Sequence, residues 1–158
     1  MNICKLDIST LTAEQFEQIV AIEENCGLEP YSRDMLMECI ADLHTYACLD
    51  GDTVAGFITL MPSSRRLGGG LYIVNLNVAK HYRCKGLAQQ LITTACGAYR
   101  ESHRGSFVIL DVAKDNSAAW NLYEKLGFKL TDIPSRNGDT DVVMMAKLDK
   151  LCNIRHSL

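Results

Sequence analysis

No run of apolar residues approaches the ~20 that a helix needs to cross a bilayer, which argues against a membrane-spanning helix. The opening residues, MNICKLDIST, lack the charged-then-apolar layout of a secretory leader. A basic excess is missing too: the net charge is -3, against the positive footprint of a sequence-blind nucleic-acid binder. No C-x-x-C occurs among the seven cysteines, which are odd in number and irregular in spacing (Cys4, Cys26, Cys39, Cys48, Cys84, Cys96, Cys152). That argues against a zinc site and against a disulfide scaffold. Internal repeats and low-complexity stretches are absent, as are the Walker pattern G-x-x-x-x-G-K-[ST] and the dinucleotide pattern G-x-G-x-x-G. The expectation is a cytoplasmic protein of a reducing compartment, without metal, nucleic acid or membrane as partner. Most of its cysteines are expected to serve as small core residues.

What is present suits one folded domain. The chain has 158 residues, with ordinary hydrophobic and charged content. A single domain is expected over residues 1–148, with a tail over 149–158 that frays. Asn2 to Ile8 reads as a first strand. Thr12 and Gln15 have the spacing of a capping box before a helix bearing Phe16, Ile19 and Val20, which should fade near Asn25-Cys26-Gly27. Ser32, with Asp34 in the first turn, caps a second helix bearing Leu36, Cys39 and Ile40. Thr45 to Leu49 and Val54 to Leu60 form a hairpin around Asp50-Gly51-Asp52. A loop from Met61 to Gly70, with Arg65 and Arg66, leads to a strand over Leu71 to Val78. A long helix follows from about Gly86 to His103. Phe107 to Ala113 reads as a strand buried on both faces. A helix over Asn116 to Leu126 stops at Gly127. Phe128 to Ile133 and Asp141 to Leu148 close the chain as strands around Arg136-Asn-Gly-Asp139. The result is a mixed α/β layout of about seven strands and four helices, with one parallel pair implied by the strand–helix–strand stretch 71–113.

The junction YRCKGLAQQL, Tyr82 to Leu91, turns a strand into a helix through Arg83, Cys84, Lys85 and Gly86. A helix N-terminus offers unpaired N–H groups and partial positive charge, which suit a phosphate. Gly86 allows close approach and Ala88 keeps the first turn narrow. Taken alone, R-x-x-G-x-A serves equally as a tight turn with a solvated basic edge.

A second stretch, Leu110 to Phe128 (LDVAKDNSAAWNLYEKLGF), weighs the choice. It resembles the second half of the acetyl-CoA site in the GCN5-related N-acetyltransferase (GNAT) superfamily, where an Asn opens a helix that closes with Leu-Tyr-x-x-x-Gly-Phe. Here these are Asn116, Leu122-Tyr123 and Gly127-Phe128. The junction matches the superfamily's pyrophosphate pattern R/Q-x-x-G-x-G/A at Arg83, Gly86 and Ala88, in the same order along the chain. The likeness is greatest to the ribosomal-protein N-terminal alanine acetyltransferases, through Pro30-Tyr31-Ser32 and through Asp111 between Leu110 and Val112. The resemblance implies the GNAT-type acyl-CoA N-acyltransferase fold, with a central mixed, mostly antiparallel sheet.

It also implies acetyl transfer from acetyl-CoA, as co-substrate, to an amine acceptor, with no metal. The pyrophosphate would lie on Arg83, Cys84, Lys85, Gly86, Leu87 and Ala88. Backbone groups of Leu76, Asn77 and Val78 would polarise the thioester carbonyl; a bulge at Asn77 would free an N–H for that purpose. The plain alternative makes Asn77 a polar residue on an exposed strand face. Asp111 is the implied general base, an unusual residue inside a strand and one methylene shorter than the Glu of the related enzymes. Tyr123 would protonate the departing thiolate, its phenol un-ionised at pH 7 with a pKa of ~10; it also fits as a packed core tyrosine. Asn116 would cap its helix and touch the pantetheine arm. Cys84, between two cations, is read as a spacer rather than an acyl carrier.

For the acceptor, Glu29 and Tyr31 are the candidate contacts, with the loop Ser63 to Gly70 and the last turn. The aromatic pair that the ribosomal-protein enzymes carry before the last strand is missing from TDIPSRNGDTD. Asp132, Asp139 and Asp141 would attract a cationic amine or form a solvated face. Three functions stand: an N-acetyltransferase for a small amine or a peptide N-terminus, a version specific to a ribosomal protein, and an acetyl-CoA-binding sensor without transfer. A monomer or a homodimer fits each.

Overall fold

The computed structural model describes residues 1–63 and 69–154. Arg65 and Arg66, with the centre of the loop expected at 61–70, lie outside the described residues, as do 155–158. Seven strands form one sheet in the order β1-β2-β3-β4-β5-β7-β6. The chain divides into two compact units, Met1–Met61 with Val74–Ala95, and Pro62–Ile73 with Cys96–Leu158. Strand β4 (Gly70–Val78) and helix α3 (Leu87–Ser102) each run through both.

The first unit holds β1 (Asn2–Lys5), α1 (Ala13–Glu24), α2 (Arg33–Asp42), β2 (His44–Asp50) and β3 (Thr53–Ser63) as far as Met61. The capping box forms: the Gln15 N–H donates to Thr12 Oγ1 at 3.1 Å and the Thr12 N–H to Gln15 Oε1 at 3.2 Å. Ser32 Oγ accepts from the Met35 N–H at 3.2 Å and starts α2. Gly51, at φ 62°, makes the turn between antiparallel β2 and β3. Strand β1 is shorter than the 2–8 expected. Asp7 Oδ1 accepts from the Ser9 N–H at 2.8 Å and turns the chain away from the sheet, leaving Ile8 half exposed. Phe16, Ile19, Val20 and Ile22 of α1 meet Leu36 and Ile40 of α2, with Ala47, Val54 and Phe57 of the strands, in one core.

The second unit contains β5 (Phe107–Ala113), α4 (Ser117–Leu126), β6 (Lys129–Leu130), β7 (Asp141–Lys147) and α5 (Leu148–Cys152). The expected parallel pair is present: Gly70, Leu71 and Tyr72 of β4 face Phe107, Val108 and Ile109 of β5. Glycine is required at 70, because a Cβ there would lie 2.1 Å from the Phe107 carbonyl oxygen. Strand β5 is not buried on both faces as its apolar composition suggested. Val108, Leu110 and Val112 are buried, whereas Phe107, Ile109, Asp111 and Ala113 form a partly exposed face. The strand expected over 128–133 shrinks to two residues: Thr131 Oγ1 donates to the Val143 carbonyl and accepts from the Ile133 N–H, and Pro134 follows. The expected tail begins instead with a fifth helix, since Leu148 and Leu151 are fully buried one turn apart. Cys48 and Cys96 are buried, Cys84 is exposed, and the other four cysteines are half-buried and free.

Candidate active site

The residues singled out in the sequence fall in both units. In the first, β4 ends at Val78, and a 3-10 turn over Lys80–Tyr82 leads into the junction. Two left-handed residues shape it, Cys84 at φ 62° and Gly86 at φ 76°. A non-glycine residue there is uncommon, so Cys84 has a conformational part to play and its side chain lies exposed. The first helical bond of α3 runs from the Gln90 N–H to the Gly86 carbonyl at 3.1 Å. The N–H groups of Leu87, Ala88 and Gln89 thus precede any helical partner, the usual condition of a helix start. Among the described residues, no atom outside the adjoining ones lies within 4 Å of a Cβ built at Gly86, which leaves open space over the turn.

Arg83 does not extend toward that space. Its Nε donates to the Val78 carbonyl at 2.9 Å and its Nη2 to the Asn25 carbonyl at 3.3 Å, bracing the end of β4 against the last turn of α1. Lys85 lies with its Nζ 5.7 Å from the centre of the Tyr82 ring, whose hydroxyl donates to Asp50 Oδ2. Gly56 of β3 allows β4 to come close: a Cβ there would lie 2.9 Å from the Asn77 carbonyl oxygen and 3.3 Å from Val78 Cα.

The Asn77 side chain is not the exposed polar group of the plain reading. It is half-buried, and its Nδ2 donates to Glu23 Oε2 at 2.6 Å. The other Glu23 oxygen accepts the Tyr31 N–H at 3.1 Å, and the Tyr31 hydroxyl reaches the Val74 carbonyl at 3.4 Å. Glu23 is only 4% exposed. Burial pushes its carboxyl above the usual range, against the lowering effect of those two hydrogen bonds. Glu29 lies exposed in the same loop. The structure therefore links Tyr31 to Asn77 through a residue that the sequence reading passed over. A signal existed: Glu23 falls four residues after Ile19 and seven after Phe16, inside the apolar stripe of α1.

In the second unit Asp111 stands on the partly exposed face of β5. Tyr72 is paired with Ile109, two residues before Asp111, so the two side chains are diagonal neighbours on one face. The Tyr72 hydroxyl donates to Asp111 Oδ2, and the Ser135 hydroxyl to Oδ1 at 2.6 Å. Arg136 lies over the Tyr72 ring, 5.6 Å from its centre. Tyr72 and Ser135 were not expected here, and Arg136 only as part of the last turn. Tyr72 follows from strand parity once the β4–β5 register is known, and Ser135 lies on a connection without periodicity.

Tyr123 sits on α4 with its ring edge-on to Phe128, centres 5.6 Å apart. Burial pushes its phenol up to about 12, by penalising the phenolate. Asn116 caps α4 through its Oδ1, which accepts from the Ala119 N–H at 3.2 Å. Gly127, at φ 97°, ends the helix. Asp132, Asp139 and Asp141 line a cavity of about 220 Å³ together with Lys114 and Ser135. Among the described residues no cluster of His, Cys, Asp and Glu has metal-binding geometry.

A sequence profile described as the acetyltransferase (GNAT) family matches residues 11–128. The catalytic subunit NAA10 of the N-terminal acetyltransferase A complex of Arabidopsis thaliana is 38% identical over 66 residues, 41% of this chain and 34% of that protein. The chain's match thus spans about a third of that relative's length. N-alpha-acetyltransferase 30 of Schizosaccharomyces pombe is 30% identical over 105 residues, 63% of this chain and 68% of that one. Among solved structures, the NatC complex bound to Gag peptide and CoA superposes with a TM-score of 0.75 and 26% identity, covering 93% and 99% of the two chains. The ribosomal-protein-S18-alanine N-acetyltransferase of Escherichia coli shares the fold, with a TM-score of 0.73, 19% identity and 93% coverage of both chains.

Proposed function

Because the chain belongs to the acetyltransferase (GNAT) family, we propose that it transfers the acetyl group of acetyl-CoA directly to a primary amine, the α-amine of a protein N-terminus. The acceptor class is supported by the curated relatives, which are N-terminal and N-alpha-acetyltransferases. The observation that carries the chemistry is the Asp111 carboxylate, held by the hydroxyls of Tyr72 and Ser135 on the partly exposed face of β5.

The open space over Gly86 and the unpartnered start of α3 fit a pyrophosphate. The N–H groups from Cys84 to Ala88 would hold it, with Lys85 adding charge. Arg83 shapes the loop through Val78 and Asn25 instead of adding a charge at the ligand. Asn116 uses Oδ1 for its cap, which leaves Nδ2 to donate to an amide of the pantetheine arm. Leu76 to Val78 would offer backbone N–H to the thioester carbonyl.

Acetyl-CoA supplies an acyl group activated as a thioester. An alkyl ammonium does not attack it, so the acceptor must first lose a proton. Asp111 takes that proton, directly or through a water, with Tyr72 and Ser135 fixing both of its oxygens. As the C–N bond forms and the C–S bond breaks, the nitrogen releases its second proton to solvent, and Tyr123 gives its hydroxyl proton to the thiolate and regains one from solvent. A buried phenol held near 12 stays protonated throughout the neutral range, as this donor must. The free cysteines support a reducing, cytoplasmic location as part of the same proposal.

The test is incubation with acetyl-CoA and a panel of N-terminal peptides, lysine-side-chain peptides and small amines, read by thiol release and product mass. Acetylation at peptide N-termini is expected. Acetyl-CoA binding without thiol release above hydrolysis for any acceptor would instead make the chain a sensor. Acetylation of small amines alone would remove the N-terminal assignment.

A further inference from the structure

Glu23 is a buried carboxylate that forms no ion pair with a cation of the described residues. The ion pairs among the described residues are Arg33 with Glu17 and Arg100 with Asp149, neither of which involves it. Burying a carboxylate is unfavourable unless its oxygens are hydrogen-bonded, and an apolar side chain in the stripe of Phe16 and Ile19 would pack at lower cost. Its placement therefore calls for a use beyond packing. Each of its oxygens holds a different segment: Oε1 the backbone of Tyr31, in the connection from α1 to α2, and Oε2 the amide of Asn77, on β4.

Tyr31 is in this way fixed at both ends. Glu23 holds its backbone, and its hydroxyl meets the Val74 carbonyl on the same strand. Two residues beyond Glu23, Arg83 ties the Asn25 carbonyl to the Val78 carbonyl. The stretch between Asn25 and Tyr31 is left as a span pinned at its two ends to consecutive parts of β4. It contains the exposed Leu28, Glu29 and Pro30.

We propose that Glu23 is a positioning residue for the acceptor: it sets the height of the 25–31 span on β4, and so the placement of Tyr31 and Glu29 for an incoming amine. This rests on the acetyltransferase reading above. Its consequences fall on the acceptor and not on acetyl-CoA. The groups of β4 assigned to the thioester are backbone ones, whereas Glu23 holds only the Asn77 side chain, and the groups of the pyrophosphate loop lie beyond Arg83.

Three variants test it. Glu23→Gln keeps both contacts if the Asn77 amide flips, its Oδ1 accepting from the new Nε2 while the Tyr31 N–H keeps a carbonyl acceptor. It should hold the acceptor KM within about threefold of wild type. Glu23→Ala should raise the acceptor KM by about tenfold or more, the scale of losing a charge-assisted hydrogen bond, with kcat and the acetyl-CoA Kd within about threefold. Asn77→Asp sets two carboxylates against each other and should raise the acceptor KM as Glu23→Ala does. Combining it with Glu23→Gln restores a donor facing an acceptor and should bring KM back. Amide exchange at Tyr31 should quicken in Glu23→Ala and Asn77→Asp and return to wild-type protection in the combined variant.

An unchanged acceptor KM in Glu23→Ala overturns the proposal, and so does an equal rise in the acetyl-CoA Kd. If Glu23→Ala does not fold, failure of the combined variant to restore KM overturns it. Absence of turnover in the wild type would sink the acetyltransferase reading by itself. The Tyr31 exchange series then still reads the hold of Glu23 on the span, and unchanged protection across it would end that claim too.

Discussion

Tyr72 and Asp111 lie diagonally across the parallel pairing of β4 and β5, and the phenol of one donates to the carboxylate of the other. The bond joins two adjacent strands on a partly exposed face, where an aspartate inside a strand would otherwise have only solvent to answer it. With Ser135 on the second oxygen, the carboxylate has a fixed plane.

That arrangement makes the pair act as a unit. Asp111→Asn should lower kcat by about 10²–10⁴-fold, the usual contribution of a general base. Tyr72→Phe should lower kcat by less, since Ser135 still holds Oδ1. The double variant should fall well short of the product of the two single effects, because both remove one function. Steady-state kinetics on the four proteins decides this; multiplicative losses would mean that Tyr72 and Asp111 act separately.

Tyr123→Phe keeps the ring against Phe128 and removes only the hydroxyl. It should lower kcat with the acetyl-CoA Kd within about threefold, because the loss is confined to the leaving group. Burial disfavours the phenolate and holds the phenol near 12, so the proton is present at every pH up to that range. Any alkaline limb of the wild-type rate profile below about pH 10 should persist unchanged in the variant. A limb that vanishes with the hydroxyl would contradict this.

Gly86 has open space around it but a left-handed backbone. Its substitution acts through conformation, not through collision with protein atoms. Gly86→Ala should carry about 1–2 kcal/mol of local strain. Gly86→Val should raise the acetyl-CoA Kd by about tenfold or more and lower the melting temperature by several degrees without unfolding the protein. Calorimetric titration measures the first quantity, and equal affinity would return the junction to a plain turn.

Glu23 gives a stability signature with a definite sign. Its carboxyl is raised in the folded state by burial, above an ordinary value near 4.5. The folded protein therefore binds this proton more tightly than the unfolded chain. Its contribution is complete below about 4.5 and is lost as pH climbs through the raised folded value. Glu23→Gln lacks that decline. Its stability relative to wild type should grow from about pH 4 upward and then level off, measured by urea unfolding across the range. Parallel curves would mean that Glu23 is not buried as described.

The parts of this protein that were legible beforehand depend on local rules. Thr12, Ser32 and Asn116 cap their helices because a side-chain oxygen and an N–H two or three residues on are all that such a bond needs. The parallel β4–β5 pair followed from the handedness of a strand–helix–strand crossover. What stayed hidden depends on register and burial. Tyr72 meets Asp111 only because Tyr72 aligns with Ile109, and no composition fixes that alignment. Glu23 shares the apolar stripe of α1, but neither of its hydrogen-bond partners is on that helix. Its burial comes from Asn77 and Tyr31, which lie 54 and eight residues away in the chain. The fifth helix was missed because Leu148 and Leu151 were read as a strand end and a loose tail, two apolar residues too few to show a period.

Arg83 bears on why its position tolerates a second residue type. The pattern that the junction resembles accepts either arginine or glutamine at its first place, a strange latitude for a phosphate ligand, since one is cationic and the other neutral. Both, however, are long side chains ending in N–H donors, and in this protein the donors go to the carbonyls of Val78 and Asn25. The position then selects for reach and donation, not for charge. Under the proposed function, phosphate recognition would fall mainly to main-chain amides, so the loop would be identified by its shape more than by the charge at position 83.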